Sequence, residues 1–394
     1  MEYGQIILKS GKDQSLKRYH PWVFSGAVKK TKGNFSEGDT VRVFNNKEEF
    51  LGVGHYQPAT IAVRILSFED RSIDETFWRE KLSKAVDLRK RLGYLEDDET
   101  NVFRLVNAEG DDFPGLIIDY YNGVVVMQSH SVGMHRQKGL FTEILKEMLG
   151  SSLTAVYDKS SSSLPYNASV EKSDRYIYGK AYGQEVRENG LLFYVNWEEG
   201  QKTGFFIDQR ENRNLLKACA KDANVLNLFG YTGGFSVYAA AGGCKSVASV
   251  DSSSGAVELA EKNMKLNFGN RVTHHAMAEE AFSYLKNMDE QYDIIILDPP
   301  AFAKHHKVLS NALQGYKKLN RLALEKVQSG GLIFTFSCSQ VVSRDNFRKA
   351  VFTAAANTGR RVRVLHQMSQ PSDHPVSIYH PEGEYLKGLV FQVE

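Results

Sequence analysis

Residues 225–251 read Val-Leu-Asn-Leu-Phe-Gly-Tyr-Thr-Gly-Gly-Phe-Ser-Val-Tyr-Ala-Ala-Ala-Gly-Gly-Cys-Lys-Ser-Val-Ala-Ser-Val-Asp. A short apolar run breaks at Gly230, and Gly233 and Gly234 follow. Phe235 to Ala241 then has the length and character of a helix, which Gly242-Gly243 stop. A second apolar run, Val247 to Val250, ends on Asp251. Strand, glycine loop, helix, strand and acid, in that order, predict one half of a doubly wound parallel sheet. Glycine lets the backbone approach a ligand closely, and an acid at the second strand tip is suited to ribose hydroxyls.

The glycine spacing narrows the ligand. A dinucleotide loop needs G-x-G-x-x-G to seat a pyrophosphate on a helix N-terminus. Here Asn227 leads into Gly230-Tyr-Thr-Gly233-Gly234. That loop resembles the cofactor loop of class I methyltransferases, whose ligand, S-adenosylmethionine (SAM), carries no phosphate. A glycine turn in an ordinary α/β domain is the alternative.

With 394 residues the chain has material for two or three domains. Its 42% hydrophobic and 24% charged content is that of a soluble globular protein. No apolar stretch approaches the ~20 residues of a membrane helix. The opening Met1-Glu-Tyr-Gly shows no signal peptide, so a cytoplasmic location is expected. Cys219, Cys244 and Cys338 are scattered and form neither a disulfide framework nor a zinc pattern. The net charge is only +2, but it is unevenly spread. Lys9, Lys12, Lys17, Arg18, Lys29, Lys30 and Lys32 face only Glu2 and Asp13, with Tyr19, Trp22 and Phe24 among them. Basic groups interleaved with aromatics suit an RNA backbone and its unstacked bases; a solvated terminal surface is the other reading.

The order of segments predicts three domains. Residues 1–70 hold short alternating strands (Gln5 to Lys9, Thr40 to Phe44, Phe50 to Gly54, Ile61 to Leu66), and Gly38-Asp-Thr-Val-Arg-Val with Phe50-Leu-Gly-Val-Gly-His-Tyr resembles a PUA domain, a small RNA-binding β-barrel. Residues 71–190 read as a middle α+β domain, with a helix over Glu75–Leu92 and another over Leu140–Leu149. Residues 191–394 carry the doubly wound pattern. Within them, the polar string Gly200-Gln-Lys-Thr-Gly-Phe-Phe-Ile-Asp-Gln-Arg210 is placed to fold over a cofactor; a plain helix entry with Asp208 near the N-cap is the alternative.

In open α/β sheets, ligands bind beyond the carboxyl ends of the strands. Asn227 to Gly234, Asp251, Asp298 and Cys338 come from four different strands and all fall there. Asp298-Pro-Pro is a carboxylate at a stiff strand exit, able to accept from a base or a cofactor amino group. Phe302, two places beyond, is either a stack for a flipped base or a core aromatic. A thiolate at Cys338 would add to C6 of cytosine and make C5 nucleophilic; a buried inert thiol is the alternative. His274-His275 falls on a strand or its edge, while His305-His306, in a loop beside Lys304 and Lys307, reads as solvated first and phosphate contact second.

Together, Asn227-Leu-Phe-Gly-Tyr-Thr-Gly-Gly-Phe-Ser, Asp298-Pro-Pro-Ala-Phe, Ser337-Cys-Ser and Pro381-Glu-Gly-Glu-Tyr-Leu-Lys-Gly resemble the bacterial large-subunit ribosomal RNA 5-methylcytosine methyltransferases with an N-terminal PUA domain. The likeness covers essentially the whole chain, including Gln201-Lys-Thr-Gly-Phe-Phe. It implies a PUA barrel, a middle α+β domain and a Rossmann-like SAM domain, acting on ribosomal RNA of the 23S type, with no metal and no membrane and with a homodimer left open. It implies Cys338 as nucleophile, with Asp298 between cofactor and base. The cofactor set it implies is Asn227, Phe229, Gly230, Thr232, Gly233, Asp251 on the ribose, Ser252, Glu280 near the adenine, Asp298 and Gln201. The substrate set is Phe302, Lys304, Lys17 and Arg18. The chain departs from related enzymes that carry a second cysteine after the Asp-Pro motif; Pro300-Ala301 stands there. A sister group that methylates guanine shares a similar glycine loop and lacks the cysteine. Guanine-N methylation, and RNA-binding assembly with SAM held but not turned over, therefore stay open.

Overall fold

In the computed structural model, which describes residues 3–394, the chain forms two compact units. One takes in the chain up to Val186 with Val195–Phe205 and Ser372–Gly383; the other is built from Arg187–Tyr194, Phe206–Pro371 and Glu384–Glu394.

The first unit holds two larger sheets. Six strands (Gly4–Leu8, Trp22–Phe24, Val28–Lys32, Thr40–Phe44, Phe50–Tyr56 and Ile61–Ser67) form one sheet, in which Gly4–Leu8 runs parallel to Thr40–Phe44. Alternation turns Ile6, Leu8, Val41, Val43, Val63 and Ile65 into a common core. A second sheet of five strands spans Val102–Asn107 to Arg175–Tyr178 and packs with the helices Glu75–Arg91 and Lys138–Leu149 around Trp78, Phe103, Phe113 and Phe141. The late segment Ser372–Gly383 is pinned into this unit. Fully buried Arg89 grips Asp111 at 2.6 and 2.7 Å and also donates to the Asp373 carbonyl oxygen at 2.8 Å. The Arg104 amide donates to the Asp373 carboxylate at 3.0 Å, and Asn107 Nδ2 to the Pro375 carbonyl oxygen at 2.9 Å.

The second unit is a seven-stranded sheet. Its strands are β1 (Asn224–Leu228), β2 (Ser246–Asp251), β3 (Thr273–Ala278), β4 (Tyr292–Leu297), β5 (Val327–Ser337), β6 (Val362–Met368) and β7 (Lys387–Val393), in the order 3-2-1-4-5-7-6. All neighbours are parallel except β7, which is antiparallel to both β5 and β6. The helices are α1 (Arg210–Cys219), α2 (Gly234–Ala241), α3 (Ser254–Phe268), α4 (Ala281–Asn287), α5 (Leu309–Lys326) and α6 (Arg344–Thr358). Ile294 to Leu297 are almost wholly buried, as a strand covered on both faces requires. Gly330-Gly331 lies inside β5 as a bulge and not before it: Tyr292 faces Val327, while Ile294 already faces Leu332. A Cβ on Gly331 would lie 2.8 Å from the Asp293 carbonyl oxygen, so only glycine passes there.

Segment Arg187–Tyr194 is held to this sheet by charge. Glu188, fully buried, accepts from Arg213 Nε and Nη2 at 2.7–2.9 Å and from the Tyr238 hydroxyl at 3.0 Å; Arg210 lies 3.6 Å away. Removing the anion would leave two guanidinium groups buried together. Glu188→Ala should therefore lower the stability of this unit by about 3–5 kcal/mol, read from urea denaturation.

Candidate active site

The parallel register brings one set of strand ends together. Leu228 at the end of β1 lies opposite Val250 of β2 and Leu297 of β4, and Leu297 opposite Thr335 of β5. The glycine loop, Asp251, Asp298 and Cys338 thus leave four adjacent strands at one edge, a rim roughly 14 Å wide at ordinary strand spacing.

The loop after β1 is shaped by backbone. Phe229, Tyr231 and Gly233 have φ of 59°, 43° and 74°. The Gly230 amide reaches back to the Val250 carbonyl oxygen at 3.0 Å. A Cβ on Gly233 would lie 2.9 Å from that of Ala260, so glycine is needed for α2 to approach α3. Asn263 Nδ2 holds the carbonyl oxygen of buried Thr232 at 2.8 Å. Asp251 ties this loop down: one carboxylate oxygen accepts the Tyr231 amide and the other the Ser253 amide, both at 2.9 Å. A carboxylate has about four acceptor positions, so ribose hydroxyls still find lone pairs there. A phosphate would meet a fixed negative charge. The cradle therefore fits a nucleoside ligand without phosphate, as SAM is.

Asn227 is almost wholly buried and faces inward, giving Nδ2 to Ser236 at 2.9 Å. Ser236 and Ser249 are 2.6 Å apart, and Ser249 lies 2.8 Å from His274 Nε2. His274 is thus part of an interior chain, and burial pushes it down to about 4. Ser252 is exposed. Glu280 caps α4, accepting the Ser283 amide at 2.8 Å. Gln201 belongs to the other compact unit.

Asp298 and Cys338 form the chemical end of the rim. Burial first, and then the charge of Asp208, raise Asp298 from 3.8 to about 7, against a hydrogen bond from Gln209 Nε2 at 3.0 Å. Cys338, half-buried just beyond β5, faces the Pro299 carbonyl oxygen at 3.9 Å. Burial, followed by the charges of Asp298 and Asp208, pushes its thiol up to about 12. The expected electropositive setting is thus outweighed in the free protein. One cation opposes it: Lys387, buried at the start of β7, donates to the Ser339 carbonyl oxygen at 2.6 Å and is itself pushed down to about 8 by burial. Tyr316 and Ser337 are hydrogen-bonded at 2.9 Å, and Ser339 Oγ donates to the Ala303 carbonyl oxygen at 2.5 Å, fixing the backbone on both sides of the thiol.

Other expected residues lie elsewhere. Phe302 is half-buried, its ring 4.6 Å from that of Tyr316 and packed against the core; Lys304 is exposed. Lys17 pairs with Asp13 at 2.6 Å, and Arg18 is exposed; both belong to the first unit. Asp208 is not a helix cap. It lies in a short 3-10 turn, Ile207–Gln209, and accepts the Tyr385 hydroxyl at 2.7 Å. Asp208 and Gln209 lie in the polar string 200–210 and Lys387 in the motif 381–388, but only the fold brings the three to the strand ends. Among the described residues, His20, His380 and Glu382 bring potential metal ligands within 4.8 Å of one another. The Trp22 amide donates to His20 Nδ1 at 3.2 Å, which in the neutral ring puts the proton on Nε2, facing Glu382 at 3.4 Å. Among the described residues no helix is long and apolar enough to cross a membrane.

Residues 165–382, more than half of the chain, match the family model described as S-adenosylmethionine-dependent methyltransferase, and residues 6–68 match a PUA-like domain. The chain is 41% identical over 400 residues to the ribosomal RNA large subunit methyltransferase I of Alteromonas mediterranea, with 99% of this chain and 98% of the relative covered. It is 36% identical to the protein of that name in Pseudoalteromonas translucida, over 98% of this chain and 99% of the relative. Among solved structures, a methyltransferase complexed with SAH superposes with a TM-score of 0.85 at 25% identity, covering 99% of this chain and all of that one. A SAM-dependent methyltransferase from Streptococcus mutans shares the fold, with a TM-score of 0.84 at 24% identity over 99% of this chain and 100% of that one.

Two outcomes follow from this geometry. Asp251→Ala frees the Tyr231 and Ser253 amides and removes the acceptor for ribose; SAM affinity measured by calorimetry should fall about tenfold or more. Asp298 has a folded pKa above its unfolded one, so its protonation stabilises the fold fully below about pH 4 and no longer above about pH 7. Asp298→Asn should raise the Tm at alkaline pH relative to the parent and flatten its pH dependence across that window.

Proposed function

Given that the chain belongs to the ribosomal RNA large subunit methyltransferase I family, with its SAM-dependent methyltransferase domain and PUA-like domain, we propose that it methylates C5 of a cytosine in large-subunit ribosomal RNA through a covalent adduct on Cys338. The observation that carries this reading is a half-exposed thiol at the carboxyl end of β5, beside the strand that ends in a carboxyl group poised near neutrality.

Asp251, with the backbone from Phe229 to Gly233, would hold the nucleoside part of the cofactor. Bound there, SAM supplies an electrophilic methyl group and a positive charge. C5 of cytosine is a poor nucleophile until the Cys338 sulfur adds to C6. Asp298, near pKa 7, is a carboxylic acid in a large share of molecules at neutral pH. It donates its proton to N3 as the C6–S bond forms, so electron density flows through the ring and C5 becomes enamine-like. While Asp298 holds that proton it carries no negative charge to disfavour the Cys338 thiolate, and the carboxylate appears only as the sulfur bonds to C6. After methylation, water takes the C5 proton, the electron pair returns to the ring and breaks the C6–S bond, and Asp298 recovers its proton from N3. Lys387, a buried cation beside the thiol, stabilises the thiolate on leaving as on entry.

RNA containing 5-fluorocytosine at the target should stay covalently attached, because fluorine replaces the proton that must leave; the adduct would be seen on a denaturing gel. Cys338→Ala should give neither adduct nor methylated RNA while still binding SAM. Full methylation by Cys338→Ala would end the thiolate mechanism and hand the reaction to a guanine nitrogen, which needs no covalent step.

A further inference from the structure

One arginine in the first unit is placed as if for a partner that the chain does not provide. Arg64 lies mid-strand in Ile61–Ser67, opposite Trp22 on one side and His55 on the other. Its side chain runs past Gly115: a Cβ built there would lie 3.4 Å from Arg64 Nε and 3.6 Å from Ser131 Oγ. His130 is beside it, its amide donating to the Gly115 carbonyl oxygen at 2.8 Å. Arg64 Nε and His130 Nε2 are both buried and neither has a hydrogen-bond partner. Among the described residues no carboxylate ion-pairs with Arg64. Glu109 acts on it only at longer range, and that carboxylate already accepts the Trp22 indole N–H at 2.8 Å.

The surroundings are electropositive. Burial and then the charges of Lys202, Arg64 and Arg104 push His130 down to about 4, so the ring is neutral and keeps one N–H to give. Arg104 is neutralised by a two-point bond to Asp119 at 2.7 and 3.1 Å. Lys202 is exposed and has no ion-pair partner among the described residues. Two cations without an ion-pair partner among the described residues thus act on one neutral imidazole. A largely desolvated guanidinium without a counter-ion is costly, and its planar fork matches a phosphate.

We propose that Arg64, His130 and Lys202 bind a backbone phosphate of the RNA substrate. The neighbourhood favours RNA over a small anion. Trp22, across the strand pair from Arg64, has Phe24 6.2 Å and His380 4.3 Å from its ring, while Tyr19 lies 5.3 Å from Tyr379. Tyr19, Phe24 and Tyr379 are 54%, 44% and 52% exposed. Exposed aromatic faces beside a phosphate clamp are what unpaired nucleotides need, with bases stacked and backbone neutralised. This site rests on the RNA reading of the function but not on which base atom is methylated.

The test uses the full chain, Arg64→Met and Lys202→Met. Fluorescence anisotropy with a labelled single-stranded RNA of mixed sequence should show affinity about tenfold weaker in Arg64→Met, with the slope of log K against log salt reduced by about one contact. Arg64→Met should melt no lower than the parent, since it removes an uncompensated charge, and should bind SAM unchanged, which separates lost binding from lost folding. Inorganic phosphate should raise the Tm of the parent and not of Arg64→Met. RNA affinity and salt slope unchanged in both variants would overturn the site. Protection by phosphate with RNA binding unaltered would also overturn it, as that pocket would serve a free anion. Loss of adduct formation in Cys338→Ala is independent of all these readings.

Discussion

A parallel strand covered on both faces leaves polar side chains no place except its ends. β1 and β4 meet this constraint directly: Val225, Leu226, Leu228 and Ile294 to Leu297 are nearly or wholly buried, and the carboxyl groups come where the strands run out. The same rule makes the rim a place of conflict. Asp298 and Cys338 sit where burial is still strong, so each resists its charged form, and the charges of Asp298 and Asp208 add to the cost of ionising Cys338. Asp251 has two backbone amides meeting its oxygens.

The free protein is accordingly poised away from reaction. A thiol near 12 is fully protonated at neutral pH. On the proposed chemistry, the cofactor's sulfonium and the protonation of Asp298 each shift the balance toward thiolate, and Lys387 is already in place to receive it. A nucleophile that becomes competent only when its partners are bound avoids side reactions with other electrophiles and oxidants.

The sheet was legible because its rules are local: alternating apolar runs, glycine loops and acids at strand tips are printed in short windows, and Ser253, Ser343 and Glu280 cap their helices in the expected way. What stayed hidden depends on distant partners. Glu188 lies 25 residues from Arg213 and 50 from Tyr238 in sequence. Lys387 reaches Ser339 across 48 residues. Asp208 looked like a cap by position, but Tyr385, 177 residues away, takes its carboxylate. His274 sits on a strand, as its sequence suggested, but its partner Ser249 belongs to the neighbouring strand. Gly330-Gly331 carries no mark in a short window that tells a bulge from a turn; only the pairing with β4 shows the bulge.

The division of the chain has a consequence for how it is made. The path passes from one unit to the other five times, and Ser372–Gly383 completes the unit that contains the earliest residues. Arg89 and the Arg104 amide wait for partners at Asp373 that emerge from the ribosome 284 and 269 residues later. At ordinary elongation rates that delay is tens of seconds or less. During it a buried arginine has Asp111 and the Arg104 carbonyl oxygen but lacks its acceptor at Asp373. The first unit of the nascent protein is therefore unfinished until residues 372–383 have emerged, and a ribosome that stalls before them leaves its buried arginine short of an acceptor.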